Sequence, residues 1–249
     1  MPITILDLAE ASDTVYNFYK DRRATGREAL SFLSQNLPTV PPGLSCVTHS
    51  EDKNSGFLAA AYRKAGAPET IIAIRGTVGY NKEGKGRDVG FKNFITDVGL
   101  YTIESMPSCL KLNTPIIADW IKQAGGSDKA ILCGHSLGGA IATILAYTLK
   151  VPCCAFNAPT VSKMVNGGTF RGAKIDVSSA DKLEIEKRIV NFNMRWDPIS
   201  KASKAVGRVY NIDCNFSFKT HSQTEVIAAL NSGYYYDKYG SKSFASAIR

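Results

Sequence analysis

The stretch Lys129-Ala-Ile-Leu-Cys133 runs directly into Gly134-His135-Ser136-Leu137-Gly138-Gly139 and then into an Ala/Leu/Ile-rich segment ending near 150. The first piece is a short apolar run, which reads as a buried strand. The last has helical spacing, which predicts a helix over 137–150. The chain must therefore turn from strand to helix within very few residues. Such a turn crowds the backbone, and glycines at 134 and 138 relieve the crowding. Ser136 sits between them, so its oxygen projects from the carboxyl edge of the sheet. A tight turn that holds a serine by chance would share part of this pattern. The G-x-S-x-G spacing between strand and helix, with the added Gly139, favours a nucleophile. The helix N-terminus beneath Ser136 favours developing negative charge. The Leu137 amide is thereby read as one oxyanion donor.

The rest of the chain supplies a frame for that turn. Apolar runs at 57–62 and 71–74 read as a hairpin, punctuated by Gly66 and Pro68. Further strands are read at 151–156, 187–196 and 207–214. One or two amphipathic helices are read over 3–20, and a final helix over 222–231. Another helix is read over 113–124, capped by Asn113 or Thr114, with Pro115 in its first turn and Gly125–Gly126 ending it. Short apolar strands alternating with helices predict an α/β fold, with a mostly parallel sheet covered on both faces. Residues 1–249 are read as one domain. Residues 36–46 are Pro-rich and read as a loop. Residues 78–92, rich in glycine and charge, read as a mobile surface loop. Within them Gly79, Gly84, Lys85 and Gly86 approach a phosphate-binding loop, but no Ser or Thr follows the lysine, so a nucleotide site is not expected. The tail from Asn231, with Tyr234–Tyr236, is left as an edge strand or a loose end.

A serine hydroxyl is a weak nucleophile and needs a positioned base. The chain has three histidines. His135 is next to Ser136, with its side chain on the other side of the turn. His49 lies early, in a polar stretch. His221 follows the serine, in a loop ahead of a helix, and is favoured by elimination. The acid is sought between them, among Asp176, Asp181, Glu184, Glu186, Asp197 and Asp213. Asp197 follows the apolar run 189–194 and precedes Pro198, which ends the strand there. A carboxylate at that edge would orient the imidazole and stabilise its cation. Asp213 is the runner-up.

The ordered motifs resemble the class 3 lipases, the fungal triacylglycerol lipase type. Ile74-Arg75-Gly76-Thr77 resembles that family's strand-ending R-G-(T/S) motif. Asn93-Phe94-Ile95-Thr96-Asp97 resembles its N-W-x-x-D, Gly134–Gly139 its G-H-S-L-G-G, and Asp197-Pro198 with His221 its D-P-V and late histidine. The resemblance runs from about residue 57 to 230. It implies the α/β-hydrolase fold, a Ser136–Asp197–His221 triad and a second oxyanion donor at Thr77, with Asp97 as a loop support. It implies a lipase or phospholipase A that forms an acyl-enzyme. A soluble carboxylesterase or thioesterase would use the same triad, and a non-catalytic hydrolase-like binding protein is the alternative from another class. Residues 78–92 stand where the family carries a lid, yet no short apolar lid helix is evident.

Composition narrows the partners. The 30 basic residues against 22 acidic ones give a net charge of +8. That excess suits a phospholipid substrate or peripheral contact with an anionic membrane, and equally general solubility. No nucleic-acid motif is present, so nucleic acid is not expected. The six cysteines form no C-x-x-C pair. No metal, other cofactor or disulfide framework is expected, and Cys133, Cys153 and Cys154 read as small core residues. The N-terminus has no signal-peptide pattern, and no stretch approaches the roughly 20 apolar residues of a membrane span. The expected location is cytoplasmic, or export by a signal-independent route. An exported toxin would require an inhibitory protein partner at home. Asn215-Phe-Ser217 matches a glycosylation sequon that means little without secretion.

Overall fold

The computed structural model describes residues 1–17, 40–52, 57–76, 106–168, 175, 177–201, 204–214, 220–232 and 240–248. Its strands are β1 (Leu44–Asp52), β2 (Phe57–Lys64), β3 (Thr70–Ile74), β4 (Ala130–His135), β5 (Cys153–Phe156), β6 (Ile189–Met194) and β7 (Arg208–Ile212). They form one sheet in that same spatial order. The pairs β1/β2 and β2/β3 are antiparallel, and the later pairs are parallel. Short connections permit the antiparallel pairs, whereas β4 to β5 crosses over through a helix.

The helices are α1 (Ile5–Asn17), α2 (Met106–Ala124), α3 (Leu137–Leu149), α4 (Ser162–Val165), α5 (Ser179–Glu186), α6 (Gln223–Asn231) and α7 (Phe244–Ala247). The strands alternate sides, as their pleat requires. Phe57, Ala59, Ile72, Ile74, Leu132 and Cys153 enter one core with Ile141 and Leu145 of α3 and Ile117 of α2. Leu58, Tyr62, Ile71, Cys133, Cys154 and Phe156 enter the other with Leu8 and Val15 of α1 and Val226 of α6. The central strands are buried on both faces, which is why they read as unbroken apolar runs. Helix α3 is buried from Leu137 to Tyr147 and is apolar almost all round. None of the six cysteines is joined in a disulfide, and Cys133, Cys153 and Cys154 fill core space.

Helix α1 starts where Thr4 and Asp7 satisfy each other's backbone. The Thr4 amide donates to Asp7 Oδ2 at 2.7 Å, and the Asp7 amide donates to Thr4 Oγ1 at 3.2 Å. This is a capping box with Asp in place of Glu. Lys64 at the end of β2 adds an ion pair to Asp7 at 2.6 Å, both side chains largely shielded.

Three readings of the sequence need correction. Residues 44–52, partly assigned to a Pro-rich loop, form the edge strand β1. Its Val-Thr-His-Ser-Glu-Asp stretch hides the strand because one face meets solvent and the other is only partly covered. Helix α2 begins at Met106, not near Asn113. Asn113 Nδ2 donates to the Cys109 carbonyl at 2.9 Å and Thr114 Oγ1 to that of Leu110 at 2.6 Å. Asn-Thr-Pro imitates a helix start, but these side chains bond backward, one turn inside the helix. The tail is no edge strand where it is described. Ser243 makes a bridge to Thr4 and caps α7. Residues 78–92, Asn93–Asp97, Tyr234–Tyr236 and the sequon at 215–217 lie outside the described residues.

Pro115 is exposed inside α2 and leaves the Lys111 carbonyl without its intrahelical donor. Pro115→Ala restores that bond and should raise stability by about 1–3 kcal/mol. Denaturant midpoints at unchanged slope measure it; a lower midpoint would show that the proline is favoured by its surroundings.

Candidate active site

The turn expected to carry the nucleophile forms where β4 meets α3. Ser136 has φ 55° and ψ −129°, a conformation that non-glycine residues rarely adopt and that costs on the order of 1–3 kcal/mol. Two hydrogen bonds hold it there. Its amide donates to the Phe156 carbonyl at 3.0 Å, and its carbonyl accepts from the Ala140 amide at 3.2 Å. The glycines beside it are required by contact. A Cβ on Gly138 would collide with the carbonyl oxygen of Ile74, at the end of β3. A Cβ on Gly134 would stand 2.5 Å from the Gly138 carbonyl carbon. The absence of both lets the end of β3, the turn and the first turn of α3 meet.

His221 sits in the turn just before α6 and bridges the other two predicted residues. Its Nε2 is 2.9 Å from Ser136 Oγ, and its Nδ1 is 2.8 Å from Asp197 Oδ1. All three side chains are buried. A carboxylate only accepts, so Nδ1 carries the proton and Nε2 is left as the acceptor for the serine hydroxyl. Asp197 lies three residues past the end of β6, at the same carboxyl edge as Ser136. Its Oδ2 accepts from the Ser200 amide at 2.9 Å, and its Oδ1 from the Ile199 amide at 3.3 Å. Burial pushes its carboxyl up. The hydrogen bond and charge of His221, with the bonds from Ser200, outweigh that and hold it below the usual carboxylate range. Asp197 is therefore ionised where the imidazole needs a counter-charge.

The rival acids are committed elsewhere. Asp213 pairs with Arg195, and Asp181 pairs with Lys150 at 3.0 Å. Glu184 meets Lys187 at 2.6 Å, and Glu186 accepts from Tyr147 Oη at 3.0 Å. Asp176 lies outside the described residues. His49 is on β1, opposite Ala60, at the far edge of the sheet. Leu137 opens α3, so its amide is among those with no partner inside the helix. Thr77 lies outside the described residues, and the strand end leading to it is described as far as Gly76. Among the described residues no three His, Cys, Asp or Glu side chains group as a metal site.

Two positioning groups were not found from the sequence. Asn157, fully buried at the end of β5, donates through Nδ2 to the Thr220 carbonyl at 2.8 Å. Its Oδ1 accepts from the Met194 amide at 2.8 Å. It thus ties the end of β6, which leads to Asp197, to the residue before His221. Its φ of 45° suits asparagine better than most residues. The only signal in the sequence was an asparagine just past a buried strand. His135 is the second. Its ring centroid lies 4.9 Å from that of His221, and its Nε2 is 2.6 Å from the His221 carbonyl oxygen. Burial first, and then the neighbouring His221, lower its imidazole from 6.5 to about 3, so it stays neutral.

Asn157→Ala strands a buried carbonyl and a buried amide, which should cost about 2–4 kcal/mol. For a chain of this size Tm should fall by about 5–15 °C, read by calorimetry; an unchanged Tm would contradict the role. His135 gives a pH signature. Between pH 6.5 and 3 the unfolded chain binds a proton that the folded chain refuses. Its contribution is thus intact above about pH 6.5 and is lost as pH falls toward 3. From pH 7 to 4 the wild type should lose up to about 1.4 kcal/mol per pH unit more than His135→Gln. Parallel stability curves would refute it.

A family model of class 3 lipases matches residues 71–203, more than half of the chain. No curated protein matches. Among solved structures the chain is similar to a mutant form of MDLA from Penicillium cyclopium, with 15% identity, 83% of this chain and 78% of that one covered, and a TM-score of 0.51. It is also similar to the triacylglycerol lipase of Penicillium expansum, with 13% identity, 97% and 95% covered, and a TM-score of 0.47. The Lip2 lipase of Yarrowia lipolytica has 12% identity, 86% and 81% covered, and a TM-score of 0.46. At 15% identity the likeness to the Penicillium cyclopium structure speaks to fold alone, and the fold is that of the α/β-hydrolases. With an α/β-hydrolase sheet, a strained serine elbow and the family match in agreement, the chain belongs to the class 3 lipase family and is a serine hydrolase of lipid carboxylic esters.

Proposed function

We propose that Ser136, His221 and Asp197 are the catalytic triad of this lipase, and that its substrates include phospholipids. The observation that carries the first part is a single imidazole within hydrogen-bond reach of both the serine hydroxyl and a buried carboxylate. In this reading Ser136 Oγ attacks the ester carbonyl while His221 Nε2 takes its proton. The resulting imidazolium is stabilised by Asp197, then protonates the departing alcohol. Water, activated by the same nitrogen, cleaves the acyl-enzyme. The Leu137 amide and the Thr77 amide hold the oxyanion. For Leu137 the support is its place at the start of α3, and for Thr77 its place directly after Gly76.

The phospholipid part rests on charge and on one surface group. The net charge of +8 favours anionic surfaces. Trp196, next to Asp197 on the rim that carries the triad, is 48% exposed, and the Lys201 ammonium lies 5.2 Å from its ring centre. An exposed indole beside a lysine suits a lipid interface with anionic headgroups.

Wild type and Ser136→Ala should be compared on p-nitrophenyl esters, phosphatidylglycerol vesicles and triglyceride emulsion. The expected loss in Ser136→Ala is at least about 10⁴-fold, with a loss of about 10⁴-fold for Asp197→Asn. Full activity in Ser136→Ala would remove the nucleophile. Cleavage of the p-nitrophenyl esters or triglyceride with no fatty acid released from phosphatidylglycerol would remove phospholipids from the substrates and leave the triad standing.

A further inference from the structure

Tyr16, near the C-terminal end of α1, lies before the segment matched by the family model, yet its hydroxyl reaches the site. Tyr16 Oη accepts from the Gly76 amide at 3.1 Å. It also lies 3.3 Å from His135 Nδ1 and 3.3 Å from the His135 carbonyl oxygen. On its other side, the His135 ring meets the His221 carbonyl.

Proton placement in this set follows from chemistry. A carbonyl oxygen only accepts, so His135 Nε2 must carry the hydrogen that it gives to His221. In the neutral ring Nδ1 is then an acceptor, and the Tyr16 hydroxyl is the donor on that side, its one hydrogen shared between Nδ1 and the His135 carbonyl oxygen. Gly76 in turn gives its N–H to Tyr16. The bonds thus point one way, from the end of β3 through Tyr16 and His135 to the backbone of the base. Bonds aligned in this sense polarise one another.

We infer that Tyr16 and His135 are positioning residues, a strut that sets the strand end entering the oxyanion loop at a fixed distance from the loop that carries His221. Nothing in the family match requires α1 to take part, but the contacts around it are made for this. A Cβ on Gly76 would collide with the Tyr16 hydroxyl, so the glycine keeps that place open. Two residues past His221, Gln223 Nε2 donates to the Ala9 carbonyl in the middle of α1 at 2.8 Å. Helix α1 therefore holds both sides: Gly76 through Tyr16, and the His221 turn through Gln223. The strut acts on geometry, which matters because small misplacements of catalytic groups lower turnover while leaving binding intact.

The inference rests on Ser136 and His221 being catalytic, and the test separates the two. Active Ser136 is counted by stoichiometric labelling with a p-nitrophenyl phosphonate, and turnover of p-nitrophenyl butyrate is expressed per labelled site. A purely structural role would lower the labelled fraction and spare turnover per site. Tyr16→Phe should lower kcat per labelled site about tenfold, with KM within about twofold of wild type. His135→Gln keeps an N–H donor for the His221 carbonyl and should retain more per-site turnover than His135→Leu. Because the bonds form one chain, Tyr16→Phe combined with His135→Leu should be no worse than His135→Leu alone. If His135→Leu does not fold, Tyr16→Phe against wild type decides. Per-site kcat of Tyr16→Phe within twofold of wild type overturns the strut. Failure of the phosphonate to label Ser136 in the wild type removes the catalytic reading, and the strut with it.

Discussion

Gly138 carries no Cβ, and the end of β3 occupies the space where one would stand. That close approach allows a serine with positive φ to sit at the carboxyl edge of the sheet, with a helix starting directly beneath it. The strain at Ser136 persists because the surroundings over-determine it. Its amide is held by β5 and its carbonyl by the second turn of α3. The burial of α3 on nearly all sides anchors the helix against which the turn is bent.

Charge at the site is handled by buried partners. Asp197 has no exposure to water, a condition that would normally drive a carboxyl to its neutral form. Backbone amides from the turn at Ile199 and Ser200, together with the imidazole of His221, reverse that tendency. Beside it, burial and the neighbouring His221 keep His135 neutral, so no second cation stands next to the His221 imidazole. Two histidines 4.9 Å apart thus have different tasks: one faces a carboxylate, and the other faces a carbonyl and a tyrosine hydroxyl.

The connections among strands β3, β5 and β6, the His221 turn and α1 pass through three side chains. Asn157 joins the ends of β5 and β6 to Thr220, Gln223 joins the start of α6 to α1, and Tyr16 joins α1 to the end of β3. Each bonds buried backbone groups: Asn157 at the end of β6 and in the His221 turn, Tyr16 at the end of β3, and Gln223 in the middle of α1. Stability and site geometry are for this reason carried by the same bonds.

The serine turn, the choice of His221 among three histidines and the covered sheet were legible in the sequence because each leaves a local mark: a glycine pattern, a histidine with few competitors, an apolar run. Edge strand β1 was not legible, because an edge exposed to water is written in polar residues. The start of α2 was misread because Asn-Thr-Pro carries the chemistry of a helix start wherever it stands. The same limit applied to Asp197 against Asp213. Both follow strands, and what separates them is that Asp213 meets Arg195 while Asp197 meets His221. The sequence by itself determined the fold class and the strand-turn-helix that presents Ser136, since both depend on backbone preferences within a dozen residues. Only the tertiary structure decided which acid faces His221, and which groups Asn157, His135 and Tyr16 join. Those roles are set by hydrogen bonds between residues 24 to 119 positions apart, and no local pattern encodes a distance in space.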